Sequence, residues 1–225
     1  MAILDEELSR LNGLVLQMGS LVEKAIKESV QALVERDDDL AKSVIDGDHQ
    51  VNALDIEIDE VSIRLIALRQ PMAGDLRLIT TAMKITTDLE RMGDLAVNIA
   101  QRAMELNREP ILKEYIDVPK MRQIAQRMTR DALDAFVKRD MKLAKEVIMR
   151  DDEVDDLKHK ILSELLFMMT ENPSIIYRSM RITFVAQYLE RIADHATNIA
   201  EMVLYLIEGK IIRHTDKLPE KEMKG

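Results

Sequence analysis

The sequence predicts an all-α protein built as two tandem, pseudo-symmetric, antiparallel three-helix bundles with six long helices. A twelve-residue segment that begins at Leu89 recurs at Leu189, 100 residues later, with eight identical positions. Apolar residues recur at steps of three and four, the spacing of one helix face, through most of the chain. The 225 residues include only seven glycines and five prolines, too few for a turn-rich β protein.

The repeat extends upstream of that segment. Residues 32–58 align with residues 135–161 at an offset of 103, and 13 of these 27 positions are identical. A period near 100 residues is too long for a solenoid of short repeats, so the whole bundle is duplicated. We therefore expect a first bundle over 1–110, a second over 111–210, and a flexible C-terminal tail over 211–225.

The apolar periodicity predicts where each helix lies in the sequence. On the third helix the apolar face includes Ile85, Leu89, Met92, Ala96, Ile99 and Ala103. The predicted helices are 5–35, 38–70, 75–107, 118–138, 141–171 and 175–208. Prolines mark their limits, because proline interrupts the backbone hydrogen bonds of a helix. The predicted N-caps are Asp37, Asp75, Asp140 and Ser174.

Composition excludes several functions. The formal net charge of −9 argues against binding to nucleic-acid backbones and to anionic lipid. The chain contains no cysteine, which excludes disulfides and thiolate chemistry. No basic, apolar signal peptide begins the sequence, and no uncharged stretch approaches the length of a membrane-spanning helix.

Paired acidic residues are the strongest chemical feature. Glu90, Asp94 and Asn98 follow one another at steps of four on the third helix, opposite its apolar face. The repeat carries the same pattern at Glu190, Asp194 and Asn198. Like charges four residues apart repel on a helix, so keeping the pair twice suggests that a cation offsets the repulsion.

The second helix adds another acidic stripe. Its members, at steps of four, three and four, are Asp48, Asn52, Asp55 and Asp59. If the second and third helices are antiparallel neighbours, the two stripes meet on the bundle surface. Several carboxylates together suit hard or borderline cations such as Mg, Ca, Mn or Fe.

The two halves differ at this stripe. In the second half, Lys158 and Leu162 stand at the positions of Asp55 and Asp59. Asp151 and Asp155 stand at the positions of Asp48 and Asn52. We include Asp151 and Asp155 among the candidate ligands. Two other interpretations remain open: a carboxylate-bridged metalloenzyme, and a structural bundle whose acidic face docks a basic partner without metal.

The motifs resemble those of the PhoU family of phosphate-uptake regulators. They are Gly47–Asn52, Arg69–Pro71, Asp75–Arg77 and Leu89–Asp94 in the first half, and Asp151–Asp155 and Leu189–Asp194 in the second. The resemblance covers nearly the whole chain. The second copy of the acidic motif has Ala193 where the first has Gly93, so both keep a small residue.

The resemblance implies a cytoplasmic, non-enzymatic negative regulator of phosphate uptake and of phosphate-starvation signalling. Its implied partners are the ATPase subunit of a phosphate ABC transporter and a phosphate-sensing histidine kinase, and a homodimer is expected. It also implies metal ions, iron or another divalent cation (Mn, Mg, Zn or Ca). The ligands carried over are Asp55, Asp59, Glu90, Asp94, Glu190 and Asp194, to which the residue pattern adds Asp151 and Asp155, with Asp48, Asn98 and Asn198 as further candidates.

Overall fold

The chain folds into helices throughout the part that the structure describes. The structure is a computed structural model that describes residues 2–112 and 114–209. Its helices are α1 Ala2–Glu35, α2 Asp38–Arg69, α3 Ala73–Asn107, α4 Asp117–Lys138, α5 Met141–Met149, α6 Asp151–Glu171 and α7 Ile176–Glu208. This confirms the predicted all-α class. The predicted tail, 211–225, lies outside the described residues.

The helices form two three-membered bundles that share one continuous apolar core. Helices α1, α2 and α3 pack together, as do α4, α7 and the pair α5 and α6. Contacts between the bundles join two helices to their repeat equivalents, α1 to α4 and α3 to α7. The α1–α4 approach is close: a Cβ atom added at Gly19 would lie 2.2 Å from Leu133 Cδ1. A larger residue at Gly19 would force the Leu133 side chain to move.

The turns between the first two helices of each bundle match one another. Asp37 accepts hydrogen bonds from the backbone N–H groups of Asp39 and Leu40, and Asp140 accepts one from that of Leu143. These two predicted N-caps are therefore confirmed. Each is preceded by an arginine with a positive φ, Arg36 at 58° and Arg139 at 51°.

The predicted N-caps of the third helices are wrong. Asp75 lies inside the first turn of α3, whose N-cap is Met72, and Met72 makes no side-chain capping bond. Ser174 lies inside a 3-10 turn, Pro173–Ile175, that precedes α7. Asn172 caps that turn by accepting hydrogen bonds from the backbone N–H and the hydroxyl of Ser174. In both halves the helical segment therefore begins before the predicted cap, at Ala73 in the first half and at Pro173 in the second.

The fifth predicted helix is interrupted at Arg150, between α5 and α6. The N–H of Arg150 bonds to the carbonyl groups of Val147 and Ile148, and its ψ is −10°. The tightened turn directs the guanidinium toward α4, where Nη1 donates to Asp131 Oδ2 at 2.7 Å. Helix α2, the repeat equivalent, carries Gly47 at this place and runs without a break.

None of the helices in 2–112 and 114–209 combines the length and the apolar character that crossing a membrane requires.

Candidate functional site

The two acidic stripes of the first bundle lie side by side on α2 and α3. We call their five carboxylates, Asp48, Asp55, Asp59, Glu90 and Asp94, the first acidic surface. The outward sides of the two helices carry them: Asp59 and Asp94 are exposed, and the other three are half-buried. The apolar faces behind them, including Val51, Ile58, Leu89 and Met92, form the core.

Mutual repulsion and partial burial raise the pKa values on this surface. The pKa of the Glu90 carboxyl is raised first by burial and then by the charges of Asp94 and Asp55. Burial and Asp48 raise the pKa of Asp94, and burial and Asp59 raise that of Asp55. The stripes therefore meet as predicted, and their negative charge is not neutralised within the bundle.

The amides beside these carboxylates have different roles. Asn52 Nδ2 donates to Asp48 Oδ2 at 2.9 Å, which orients that carboxylate. Asn98 is half-buried on α3, one helical turn beyond Asp94. Its counterpart in the second half, Asn198, turns instead toward α3, where Nδ2 donates to Asp88 Oδ1 at 3.4 Å.

The second bundle offsets part of the charge of its equivalent surface with a lysine of its own. Lys158 Nζ lies 2.7 Å from Glu190 Oε1 and 3.3 Å from Asp155 Oδ1, with both Lys158 and Glu190 side chains only 20% exposed. Lys158 occupies the place of Asp55 in the repeat. This position therefore carries the positive charge of a lysine in the second bundle and the negative charge of an aspartate in the first.

Asp151 and Asp194 belong to the same acidic surface as Glu190 and Asp155, the two partners of Lys158. Burial raises the pKa of Asp151 to about 6, with the charges of Asp194 and Asp155 as further causes. The pKa of Asp194 is raised by burial and by Glu190 and Asp155, against the lowering effect of His195 and Lys158. One lysine therefore leaves part of the acidic charge of the second bundle unbalanced.

A buried polar contact between the bundles is absent from the candidates predicted from the sequence. His195 Nδ1 donates to Asp88 Oδ1 at 2.7 Å, and both side chains are at most 10% exposed. The repeat places Tyr188 and Leu95 at the equivalent positions. An acidic residue on the apolar side of α3 and a histidine that departs from the repeat were the signals that could have found this pair.

The described side chains do not enclose a metal ion as they stand. Across 2–112 and 114–209, no group of three or more histidine, aspartate or glutamate side chains is arranged to hold one. The donors of the first acidic surface are all oxygen, which suits a hard cation. The metal hypothesis consequently rests on the charge and donor type of this surface, and not on a formed coordination shell.

Comparison with known proteins identifies both repeats. The model of the PhoU domain matches residues 15–103 and 118–203. A phosphate-specific transport system accessory protein PhoU homolog from Aquifex aeolicus is 46% identical over 209 residues, which are 93% of this chain and 95% of that protein. Its namesake from Pseudomonas aeruginosa is 42% identical over 217 residues, 96% of this chain and 90% of that protein.

Solved structures agree in fold over nearly the whole chain. The crystal structure of PhoU from Pseudomonas aeruginosa superposes with a TM-score of 0.88 at 42% identity, covering 92% of this chain and 99% of that one. The phosphate transport system regulatory protein PhoU from Streptococcus pneumoniae gives a TM-score of 0.87 at 29% identity, covering 93% and 99%. With both repeats matched in sequence and in structure, the chain belongs to the PhoU family.

Proposed function

We propose that the chain is a negative regulator of phosphate uptake and phosphate-starvation signalling. It acts in the cytoplasm as an adaptor between a phosphate ABC transporter and a phosphate-sensing histidine kinase. The observation that carries this proposal is the match to both PhoU domains, together with relatives named as accessory proteins of phosphate-specific transport over more than nine-tenths of the chain. The long helical faces offer extended surfaces for such partners.

A genetic and biochemical pair of experiments tests the adaptor function. Deleting the gene in its host should switch on a phosphate-starvation reporter while phosphate is plentiful, and the intact gene should restore repression. The purified protein should bind the isolated ATPase subunit of the transporter and the cytoplasmic part of the kinase by calorimetry. A deletion strain that keeps normal repression would refute the regulatory function, and binding to neither protein would refute the adaptor function.

We further propose that the first acidic surface binds iron or another divalent cation. Its support is the contrast between the halves. Burial first, and then the charges of neighbouring carboxylates, raise the pKa values of Asp55, Glu90 and Asp94, whereas Lys158 supplies a cation among the equivalent acids. Carboxylate oxygens would hold a hard cation, whose charge would offset their repulsion. The site in the second bundle, built on Glu190, Asp194, Asp151 and Asp155, would be weaker because Lys158 competes for it.

Elemental analysis of gently purified protein tests metal binding. The wild type is compared with Glu90→Ala/Asp94→Ala and with a control, Asp46→Ala/Glu60→Ala, which removes two exposed carboxylates of α2 outside the first acidic surface. We expect stoichiometric metal in the wild type and the control, and its loss from the first variant. Absence of metal from all three after addition of Fe, Mn, Mg or Zn would leave the surface as a docking site for a basic partner.

A further inference from the structure

A cavity lies between α1, α2 and α3, and Asp48 of the first acidic surface is one of its lining residues. Its volume is about 130 Å³, and both charged and apolar side chains line it. The residues that matter for its chemistry are Lys24, Glu28, Gly47, Asp48 and Gly93. A Cβ atom added at Gly47 would meet no atom within 4 Å, so open space begins directly at the α2 backbone.

The second repeat shows what the equivalent space accommodates. At the offset of 103, Gly47 corresponds to Arg150 and Glu28 to Asp131. The Arg150 guanidinium donates to Asp131 Oδ2 at 2.7 Å, and its side chain is only 15% exposed. The second bundle therefore fills this place between its first two helices with an internal arginine.

The first bundle keeps the acceptors but has no such arginine. Glu28 has one ion-pair contact, at 3.9 Å, to Lys24, whose side chain is 68% exposed. The equivalent outer cation in the second half, Arg127, lies 3.6 Å from Asp131 in addition to Arg150. Among the described residues, none pairs with Glu28 as Arg150 does with Asp131.

A second carboxylate lines the same cavity. Asp48 Oδ2 accepts a hydrogen bond from Asn52, while Oδ1 lies 3.5 Å from where a Cβ of Gly93 would stand. Glycine at 93 therefore keeps the space beside Asp48 Oδ1 clear. The repeat has alanine there, in the half where the arginine is already part of the chain.

We propose that this cavity receives the guanidinium group of an arginine side chain from a partner protein. The planar guanidinium carries several fixed donors and is weakly hydrated, so it suits two carboxylate acceptors in a partly buried groove better than an ammonium does. The formal net charge of −9 favours the approach of a basic partner. The cavity shares Asp48 with the first acidic surface, but recognition of a guanidinium group there does not require the metal.

Nuclear magnetic resonance with isotope-labelled full-length protein tests the proposal, with EDTA present to exclude metal. The probe is the capped tripeptide acetyl-Gly-Arg-Gly-amide, compared with its lysine analogue and with free L-arginine. We expect saturable shifts of the Gly47, Asp48 and Gly93 amide signals with the arginine peptide and weaker binding of the lysine peptide. Sodium chloride at equal ionic strength should not reproduce the shifts.

Three variants assign the shifts to the cavity. Gly47→Arg should abolish binding by filling the space as Arg150 does, and Glu28→Gln should weaken it about tenfold by removing a charged acceptor. The control Glu35→Gln, two turns along α1 and outside the lining, should bind as the wild type does. If Gly47→Arg does not fold, the comparison of Glu28→Gln with Glu35→Gln is enough to test the proposal.

Several outcomes would overturn the proposal. One is equal binding by Glu28→Gln and Glu35→Gln, and another is shifts no larger than those from sodium chloride. Tighter binding of free L-arginine than of the capped peptide would refute a protein source for the guanidinium. Equal binding of the lysine peptide would refute guanidinium selectivity.

Discussion

Single residues decide how each half of the chain handles its acidic charge. Lys158 bridges Glu190 and Asp155, whereas Asp55 at the equivalent place adds a further negative charge. A partly buried carboxylate without a cation costs free energy, and a raised pKa is the sign of that cost. The residue at this one repeat position thus decides whether the acidic surface carries a lysine of its own or a further carboxylate.

Replacing Lys158 by aspartate should convert the second surface into a copy of the first. We expect Lys158→Asp to lower the stability of the metal-free protein, because Glu190 and Asp155 lose their cation, and to add metal-binding capacity. Thermal unfolding with and without Mn²⁺ measures both effects. Lys160→Asp, on the same helix but paired with Asp117, is the control for loss of a lysine, and equal metal uptake by the two variants would contradict the prediction.

Asp151 should make stability depend on pH in a defined direction. Its pKa is about 6 in the folded protein against an ordinary value of 3.8. Between these values the folded state holds a proton that the unfolded state has lost, so stability falls as pH rises through this window. Above a pH of about 6, the charged Asp151 carboxylate destabilises the folded protein to its full extent.

Asp151→Asn removes this titration. At pH 7, in EDTA, the variant should be more stable than the wild type by about 1 to 2 kcal/mol, a figure reduced for solvent screening, and the difference should vanish near pH 4. Urea unfolding at pH 4, 5, 6 and 7 measures it. Asp156→Asn, an exposed neighbour on α6, should show no such trend, and a constant difference at every pH would rule out titration as the cause.

At the scale of elements, periodicity predicted the helices well and their ends less well. Helices 38–70 and 118–138 differ from α2 and α4 by one residue at one end, because the apolar spacing and the flanking turns agree there. Asp75 and Ser174 failed as N-caps because the helical segments begin earlier, α3 at Ala73 and the 3-10 turn at Pro173. The periodicity did not predict the break at Arg150, because the apolar residues of α5 and α6 keep the spacing of one continuous helix face.

The interruption at Arg150 should contribute stability through its side chain. Arg150→Ala leaves Asp131 with the longer contact to Arg127 and should lower the free energy of unfolding by about 1 to 3 kcal/mol. Methylguanidinium at millimolar concentration should restore part of this loss by occupying the vacated space. The melting temperatures of the variant and of the wild type, with and without methylguanidinium, measure this effect. Equal effects on both proteins would show that methylguanidinium does not occupy the space that Arg150 leaves.

At the scale of the whole molecule, the two bundles share one apolar core, and a buried polar pair lies in the contact between them. Contacts of α1 with α4 and of α3 with α7 bury apolar residues of both halves together. Asp88 and His195 lie in the α3–α7 contact, 2.7 Å apart and nearly inaccessible to water. The sequence repeat predicted two bundles but not this pair, because Asp88 and His195 are departures from the repeat.

A shared core should make the molecule unfold in one step. All four tyrosines, at 115, 177, 188 and 205, belong to the second half, so tyrosine fluorescence follows that half while far-ultraviolet circular dichroism follows both. The two urea transitions should coincide. Asp88→Ala leaves His195 without its acceptor and should shift both curves equally, by about 1 to 3 kcal/mol; separated transitions would show that the bundles unfold independently.

The pairing of α1 with α4 and of α3 with α7 has a consequence for how the chain could diversify. Two separate copies of a one-bundle protein, related by a twofold axis, would present like surfaces to like surfaces, as α1 with α4 and α3 with α7 do here. In such a dimer every substitution appears twice. Covalent fusion removes that constraint, so an inherited arginine or lysine can serve one half while the other half keeps its vacancy.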